Sequence, residues 1–199
     1  MRNILTIGTR NPAKLVEISG LLADVRVELP CLGDEVREVE ETGSTFAANA
    51  AIKASEYARQ TETYVLADDS GLEVAALDGR PGVLSARYGG EGTTFDEKIS
   101  LLLREIEQSG RSDRRARFVC SLVLAAPDGS LIHTVDSYCV GMIASDPRGI
   151  GGFGYDPLFI PVGSDRTFGQ LTEREKSKIS HRARAFRKII PFLRDFFAI

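Results

Sequence analysis

The stretch Val65-Leu-Ala-Asp-Asp-Ser-Gly-Leu72 constrains this chain more than any other. Apolar Val65, Leu66 and Ala67 read as a buried strand, and Leu72 and Val74 resume the pattern. Two adjacent carboxylates, Asp68 and Asp69, interrupt it. Strand neighbours point to opposite faces, so only one of the two can look into a given cleft. Buried carboxylates are costly unless cations, hydrogen bonds or a metal compensate them. A lone Asp-Ser-Gly is more simply a turn capped by its aspartate. After so apolar a run, the better reading is a site.

Composition excludes several classes. A chain of 199 residues with 43% hydrophobic and 27% charged content fits a single domain over 1–199 with ample material for a core. A net charge of −3 gives no general attraction for nucleic acid, so none is expected as a partner. A local basic cluster could still hold a small polyanion. Cys31, Cys120 and Cys139 are odd in number and lack metal-like spacing, which suits a reducing compartment. No stretch is apolar enough to span a membrane, and the N-terminus opens directly into a strand. A cytoplasmic protein with no membrane partner is expected.

Ile4 to Gly8 reads as a strand feeding the loop Thr9-Arg-Asn-Pro-Ala-Lys14. Asn11 is a good N-cap, Pro12 suits the first helical position, and Leu15, Ile18 and Leu22 give the helix an apolar face. A helix N-terminus after a strand is a natural anion site. Lys14 opposes the helix dipole there, so something else must favour it, and a phosphate would. The alternative is an ordinary turn with a solvated lysine. Arg26 to Leu29 reads as a short strand, and Glu40-Glu41 as a solvated pair before Thr42-Gly43. A helix runs from about Thr45 to Gln60, where Asn49 and Lys53 at i and i+4 share a face with Phe46, Ala50 and Tyr57.

Asp78 to Gly82 is a turn cluster, Thr94 to Glu97 a capping box, and Pro127-Asp-Gly-Ser a hairpin turn between two strands. His133 has no partner at metal spacing and reads as structural. The glycine-rich run Asp146 to Pro157 lets backbone approach a ligand and offers Phe153 and Tyr155 as stacking surfaces, unless both lie in the core. Asp156 there could accept from a base. A second capping box, Thr172 to Glu175, leads to Lys176. Ser180-His-Arg182 opens the last helix, which Pro191 is expected to kink or end, and its two cations again sit at a helix N-terminus.

Together these residues resemble the inosine triphosphate pyrophosphatase family. The motifs are Thr9-x-Asn11-x-x-Lys14, Glu40-Glu-Thr-Gly43, Asn49-x-x-x-Lys53-Ala54, Ala67-Asp-Asp-Ser-Gly71, Pro81-Gly-Val-x-Ser-Ala-Arg87, Gly152-Phe-Gly-Tyr-Asp-Pro157 and Ser180-His-Arg182. Their order along almost the whole chain is what makes the likeness specific. The resemblance implies an α/β fold of two lobes around a long central mixed β-sheet, with helices packed on it, a substrate cleft between the lobes, and a homodimer. It implies hydrolysis of ITP, dITP or XTP to the monophosphate and pyrophosphate, with one or more Mg2+ ions per subunit. By position, Thr9, Asn11, Lys14 and Lys53 match the triphosphate set. Glu40 and Asp69 match the metal-associated acids, and Asp69 the proton acceptor. Ser70, Phe153, Gly154, Tyr155, Asp156, Lys176, His181 and Arg182 match the nucleoside set. Arg10 stands where the family usually has glycine, which could alter the loop geometry or add a cation near the phosphates. A Maf-like pyrophosphatase of other base preference, and a nucleotide-binding module without catalysis, are the competing readings.

Overall fold

In the computed structural model, which describes residues 4–198, the central stretch is one uninterrupted strand, β2 (Tyr64–Val74). The two carboxylates do not break it into a turn. Four further strands, β1 (Leu5–Ile7), β3 (Arg115–Ala125), β4 (Leu131–Ile143) and β5 (Phe159–Pro161), complete a sheet in the order β1-β2-β3-β4-β5. The sheet is mixed: β1 pairs parallel to β2, with Thr6 opposite Val65, and β5 pairs antiparallel to β4, with Ile160 opposite Met142. Residues 26–29 contribute only a single bridge, Ile4 to Glu28, in place of the expected strand.

The chain divides into two compact units. One comprises the chain up to Asp69, Cys120–Ser137 and the residues from Arg182 onward; the other comprises Ser70–Val119 and Tyr138–His181. In the first unit the strand alternation sorts side chains into two cores. Leu66, Leu122 and Leu124 pack with Ile18 and Leu22 from the α1 (Pro12–Leu21) region and with Phe186, Ile189 and Leu193 of α5 (His181–Phe197). Their strand neighbours Val65, Ala67, Val123 and Ala125 pack instead with Ala50, Ala54, Tyr57 and Ala58 of α2 (Phe46–Thr61). In the second unit Leu72, Val74, Phe118, Cys139 and Phe159 close over Ile99, Leu102 and Ile106 of α3 (Phe95–Gln108).

The helix boundaries follow local rules. Asn11 Oδ1 accepts from the amides of Ala13 and Lys14, and Thr45 caps α2 by accepting from Ala48. Thr94 with Glu97, and Thr172 with Glu175 of α4 (Glu173–Ile179), form the two capping boxes expected from the sequence. Pro191 does not end the last helix, which continues to Phe197. The interruption costs on the order of 3 kcal/mol, and burial of Leu193 and Phe197 beyond it offsets that cost.

Candidate active site

Asp68 and Asp69 face opposite ways along β2 and meet different partners, as neighbours on a strand must. Asp68 Oδ2 lies 3.0 Å from Lys14 Nζ and accepts from Arg182 Nη2 at 3.2 Å. Arg182, 1% exposed, also donates to Glu17 one turn along α1 from Lys14. Burial opposes the charge on Asp68, but Lys14, Arg182 and Lys53 outweigh it and hold the carboxyl far below the usual carboxylate range. Lys14 and Arg182, cations at helix N-termini that seemed to want an outside anion, therefore already have one within the chain.

Asp69 faces α2. Its Oδ2 accepts from Asn49 Nδ2 at 3.2 Å and its Oδ1 from Lys53 Nζ at 3.4 Å, so the i, i+4 pair of α2 converges on one carboxylate. Lys53 Nζ also donates to Glu41 Oε1 at 2.6 Å. Burial works against the Lys53 charge, yet Asp69, Asp68 and Glu41 together raise its pKa. For Asp69 the balance tips the other way: burial pushes its pKa up, Lys53 pulls it down, and Glu41 adds to the rise. Despite Lys53, burial and Glu41 leave Asp69 easier to protonate than an ordinary aspartate.

Glu40, the acid matched to a metal, is exposed, and its neighbour Glu41 is the one that reaches Lys53. Among the described residues no three acids, histidines or cysteines gather as a closed metal cage. The donors present still fit a hard divalent cation. Asp69 and Glu41, which share Lys53, offer only oxygens, and magnesium uses one or two carboxylates together with water and phosphate oxygens.

Around these acids Thr9 Oγ1 accepts from the Asn11 amide at 3.2 Å, which shapes the turn into α1. Arg10 directs its guanidinium to the carbonyls of Gly33 (3.1 Å) and Val36, bracing that loop.

The nucleoside-set residues of the second unit centre on Asp156. Its Oδ2 accepts from Lys176 Nζ at 2.6 Å and from the Phe153 amide at 2.8 Å, with Asp156 2% and Lys176 6% exposed. Gly152, at φ +70°, allows this turn, because a Cβ there would stand 2.0 Å from Asp156 Oδ2. The Lys176 ammonium also lies over the Phe153 ring, 4.9 Å from its centroid. Phe153 is half-buried, whereas Tyr155 is a core residue whose hydroxyl donates to the Ser85 carbonyl at 3.1 Å. Of the two aromatics expected as stacking surfaces, only Phe153 keeps a face outside the core. His181 is buried too, its ring stacked on Phe118 at 4.7 Å. Ser70, half-buried, begins the second unit's share of β2. Sequence reasoning missed Glu17 and Glu41 as partners; Glu17 carried a signal, lying three residues after Lys14 on one helix face.

The Ham1 family model matches residues 5–192. A dITP/XTP pyrophosphatase of Synechocystis sp. is 47% identical over 186 residues, covering 94% of this chain and 93% of the relative. One from Bacillus subtilis is 43% identical, covering 94% and 95%. The structure of a HAM1 protein from Coxiella burnetii aligns at a TM-score of 0.90 and 39% identity, covering 98% of this chain and 100% of that one. A nucleoside-triphosphatase / dITP/XTP pyrophosphatase from Mycobacterium abscessus aligns at 0.76 and 43% identity, over 94% and 98%.

Proposed function

The chain belongs to the Ham1 family, and we infer from that membership that it is a nucleoside triphosphate pyrophosphatase acting on non-standard purine nucleotides. ITP, dITP and XTP are cleaved at the α–β phosphoanhydride to the monophosphate and pyrophosphate. The names of its full-length relatives support the substrate class. The observation that carries the chemistry is Asp69, a carboxylate of raised pKa held by Asn49 and facing Lys53.

We assign the phosphate tail to Thr9, Asn11, Lys14 and Lys53. The α1 amides and the two ammonium groups would stabilise charge on the phosphoryl oxygens and on departing pyrophosphate. Asn49 fixes one Asp69 oxygen by hydrogen bonding, which leaves the carboxylate oriented to accept the proton of an attacking water. Lys53 is positioned to stabilise the charge that this transfer develops. Mg2+ held by Asp69 with Glu40 or Glu41 would, when bound, polarise the phosphoryl oxygens. Arg10 is assigned a bracing role at the edge of the phosphate site.

The nucleoside is assigned to Ser70, Phe153, Gly154, Tyr155, Asp156, Lys176, His181 and Arg182. Phe153 offers the ring face, Lys176 a donor for a 6-oxo group, and Tyr155 and His181 the buried frame. A 6-amino group would leave a donor facing a donor, which costs on the order of 1–3 kcal/mol. Arg182, clamped by Asp68 and Glu17, serves by fixing those acids.

Magnesium dependence, a homodimer and a cytoplasmic location belong to the same proposal. Oxygen-only donors suit the metal. Tyr138, Val140 and Met142, exposed at alternate positions of β4, suit a subunit contact. The exposed thiol of Cys31 suits a reducing compartment. The test is pyrophosphate release from ITP, XTP, GTP and ATP with and without Mg2+. Magnesium-dependent pyrophosphate from ITP and XTP, at least tenfold (about 1.4 kcal/mol) above ATP, is expected. Orthophosphate as product, or binding of ITP without turnover, would refute the reading.

A further inference from the structure

Ser85, in the run Pro81 to Arg87, is a polar side chain with only 6% of its surface exposed. Its Oγ accepts from the Leu72 amide at 2.9 Å and donates to the Gly82 carbonyl at 2.6 Å. Its own carbonyl accepts from the Tyr155 hydroxyl at 3.1 Å. One buried residue thus ties together strand β2, its own turn and the Phe153–Asp156 turn.

The end of β1 explains the first of these bonds. Leu66, Leu72 and Val74 share a parity along β2 and so address the same edge of the strand. β1 pairs along that edge only as far as Leu66. Beyond it the buried amides need other acceptors. The segment after β2 folds back to supply them: the Arg80 carbonyl accepts from Val74 at 3.3 Å, Pro81 bridges Glu73, and Ser85 Oγ answers Leu72. A hydroxyl suits this place because it accepts from one backbone group while donating to another, and alanine does neither.

The third bond carries that anchorage to Tyr155. The Tyr155 ring is 2% exposed and meets Phe95 edge-on, with centroids 5.7 Å apart, while the Ser85 carbonyl holds its far end. On one side of Tyr155 is Asp156; two residues before it is Phe153, whose ring keeps a face outside the core. Gly152 and Gly154, both at positive φ, give this turn wide backbone freedom unless something pins it. We propose that Ser85 is a positioning residue for the nucleoside: through Tyr155 it seats the Phe153–Asp156 turn on β2, so that the base meets the Phe153 ring in one fixed place. The proposal rests on the assignment of that turn to the nucleoside.

The test uses the wild type, Ser85→Ala, Tyr155→Phe and the double variant. Ser85→Ala removes the hydroxyl and keeps the carbonyl; Tyr155→Phe keeps the ring and removes its hydroxyl. Calorimetry measures the affinity for IMP, and inhibition of ITP turnover measures the affinity for pyrophosphate, which has no base. Each single variant is expected to weaken IMP by about three- to tenfold, the loss of one hydrogen bond, with kcat/KM for ITP falling in step. Pyrophosphate should inhibit within about twofold of its wild-type strength, as for a site independent of the change. Because both changes break one strut, the double variant should lose less than the product of the two single losses. Unchanged IMP affinity in both single variants overturns the inference. So does equal weakening of IMP and pyrophosphate, the mark of a structural role, and so do single losses that simply multiply. If Ser85→Ala does not accumulate folded, Tyr155→Phe decides alone by the same comparison of IMP with pyrophosphate. A wild type that neither turns over ITP nor binds IMP removes the pyrophosphatase reading and this inference with it. Wild-type ITP turnover with IMP affinity unmoved in the variants removes only the role of Ser85.

Discussion

Lys176 Nζ lies 2.6 Å from Asp156 Oδ2, and both side chains are almost wholly withdrawn from solvent. A pair this deep repays its desolvation only through close geometry and added hydrogen bonds, which the Phe153 amide supplies. Asp156→Ala would strand the ammonium, and a loss of roughly 3–5 kcal/mol in urea unfolding is expected. Asp156→Leu combined with Lys176→Met should recover part of that stability without recovering turnover. A single mutant as stable as wild type would contradict the pairing.

Asp69→Asn keeps the shape and the Asn49 contact but removes the carboxylate proposed as proton acceptor. The melting temperature is expected to stay within a few degrees while kcat falls by roughly 10²–10⁴. Because burial raises the Asp69 pKa, the deprotonated form that the proposal requires is depleted as pH falls. The acidic limb of kcat/KM for the wild type should therefore lie above the range of an ordinary aspartate, and a pH–rate series on ITP measures it.

Gly152→Ala places a methyl where Asp156 Oδ2 now stands and forces a side chain onto φ +70°. The backbone strain alone costs about 1–2 kcal/mol, and the clash displaces the carboxylate. Activity on ITP should drop with the stability. Gly163→Ala, also at positive φ but with open space around it, shares the strain without the clash and provides the control.

The Cys120 thiol, fully buried and pushed up to about 12 by burial and by Asp68, differs from an unfolded thiol near 9.0. With the folded value the higher, its contribution to stability is complete below pH 9 and is lost as pH rises toward 12. Native protein should expose one fast thiol, Cys31, to a colorimetric thiol reagent, with Cys120 and Cys139 reacting only on unfolding. Three fast thiols at neutral pH would refute this.

Much of the fold was legible because it obeys local rules. Asn11, Thr45, Thr94 and Thr172 cap the helices their side chains predict, and the alternation of Val65 to Leu72 is that of the strand observed. Asn49 and Lys53 were readable as a pair because helical spacing put them on one apolar face. The choice among distant partners was not legible. Nothing local says that Lys14 meets Asp68, that Arg182 meets Glu17, or that Glu41 reaches Lys53 while Glu40 stays in solvent. The single bridge at Glu28 and the passage of α5 through Pro191 were likewise settled by packing against distant residues, which overrode the local signals.

The two carboxylates of β2 are adjacent in sequence and opposite in direction, so their duties depend on parity along the strand. Deleting one residue between Tyr64 and Asp68 would carry Asp69 to the place of Asp68, toward Arg182, and leave Ser70 opposite Lys53; inserting one would carry Asp68 to the place of Asp69, toward Lys53, and Asp69 past it. No charge would be lost from the chain, yet one cluster of cations would meet the wrong acid and the other would lose its own. Length variation in this segment should therefore be far less tolerated than substitution, and a one-residue deletion there is a sharper probe of the site than most point mutants.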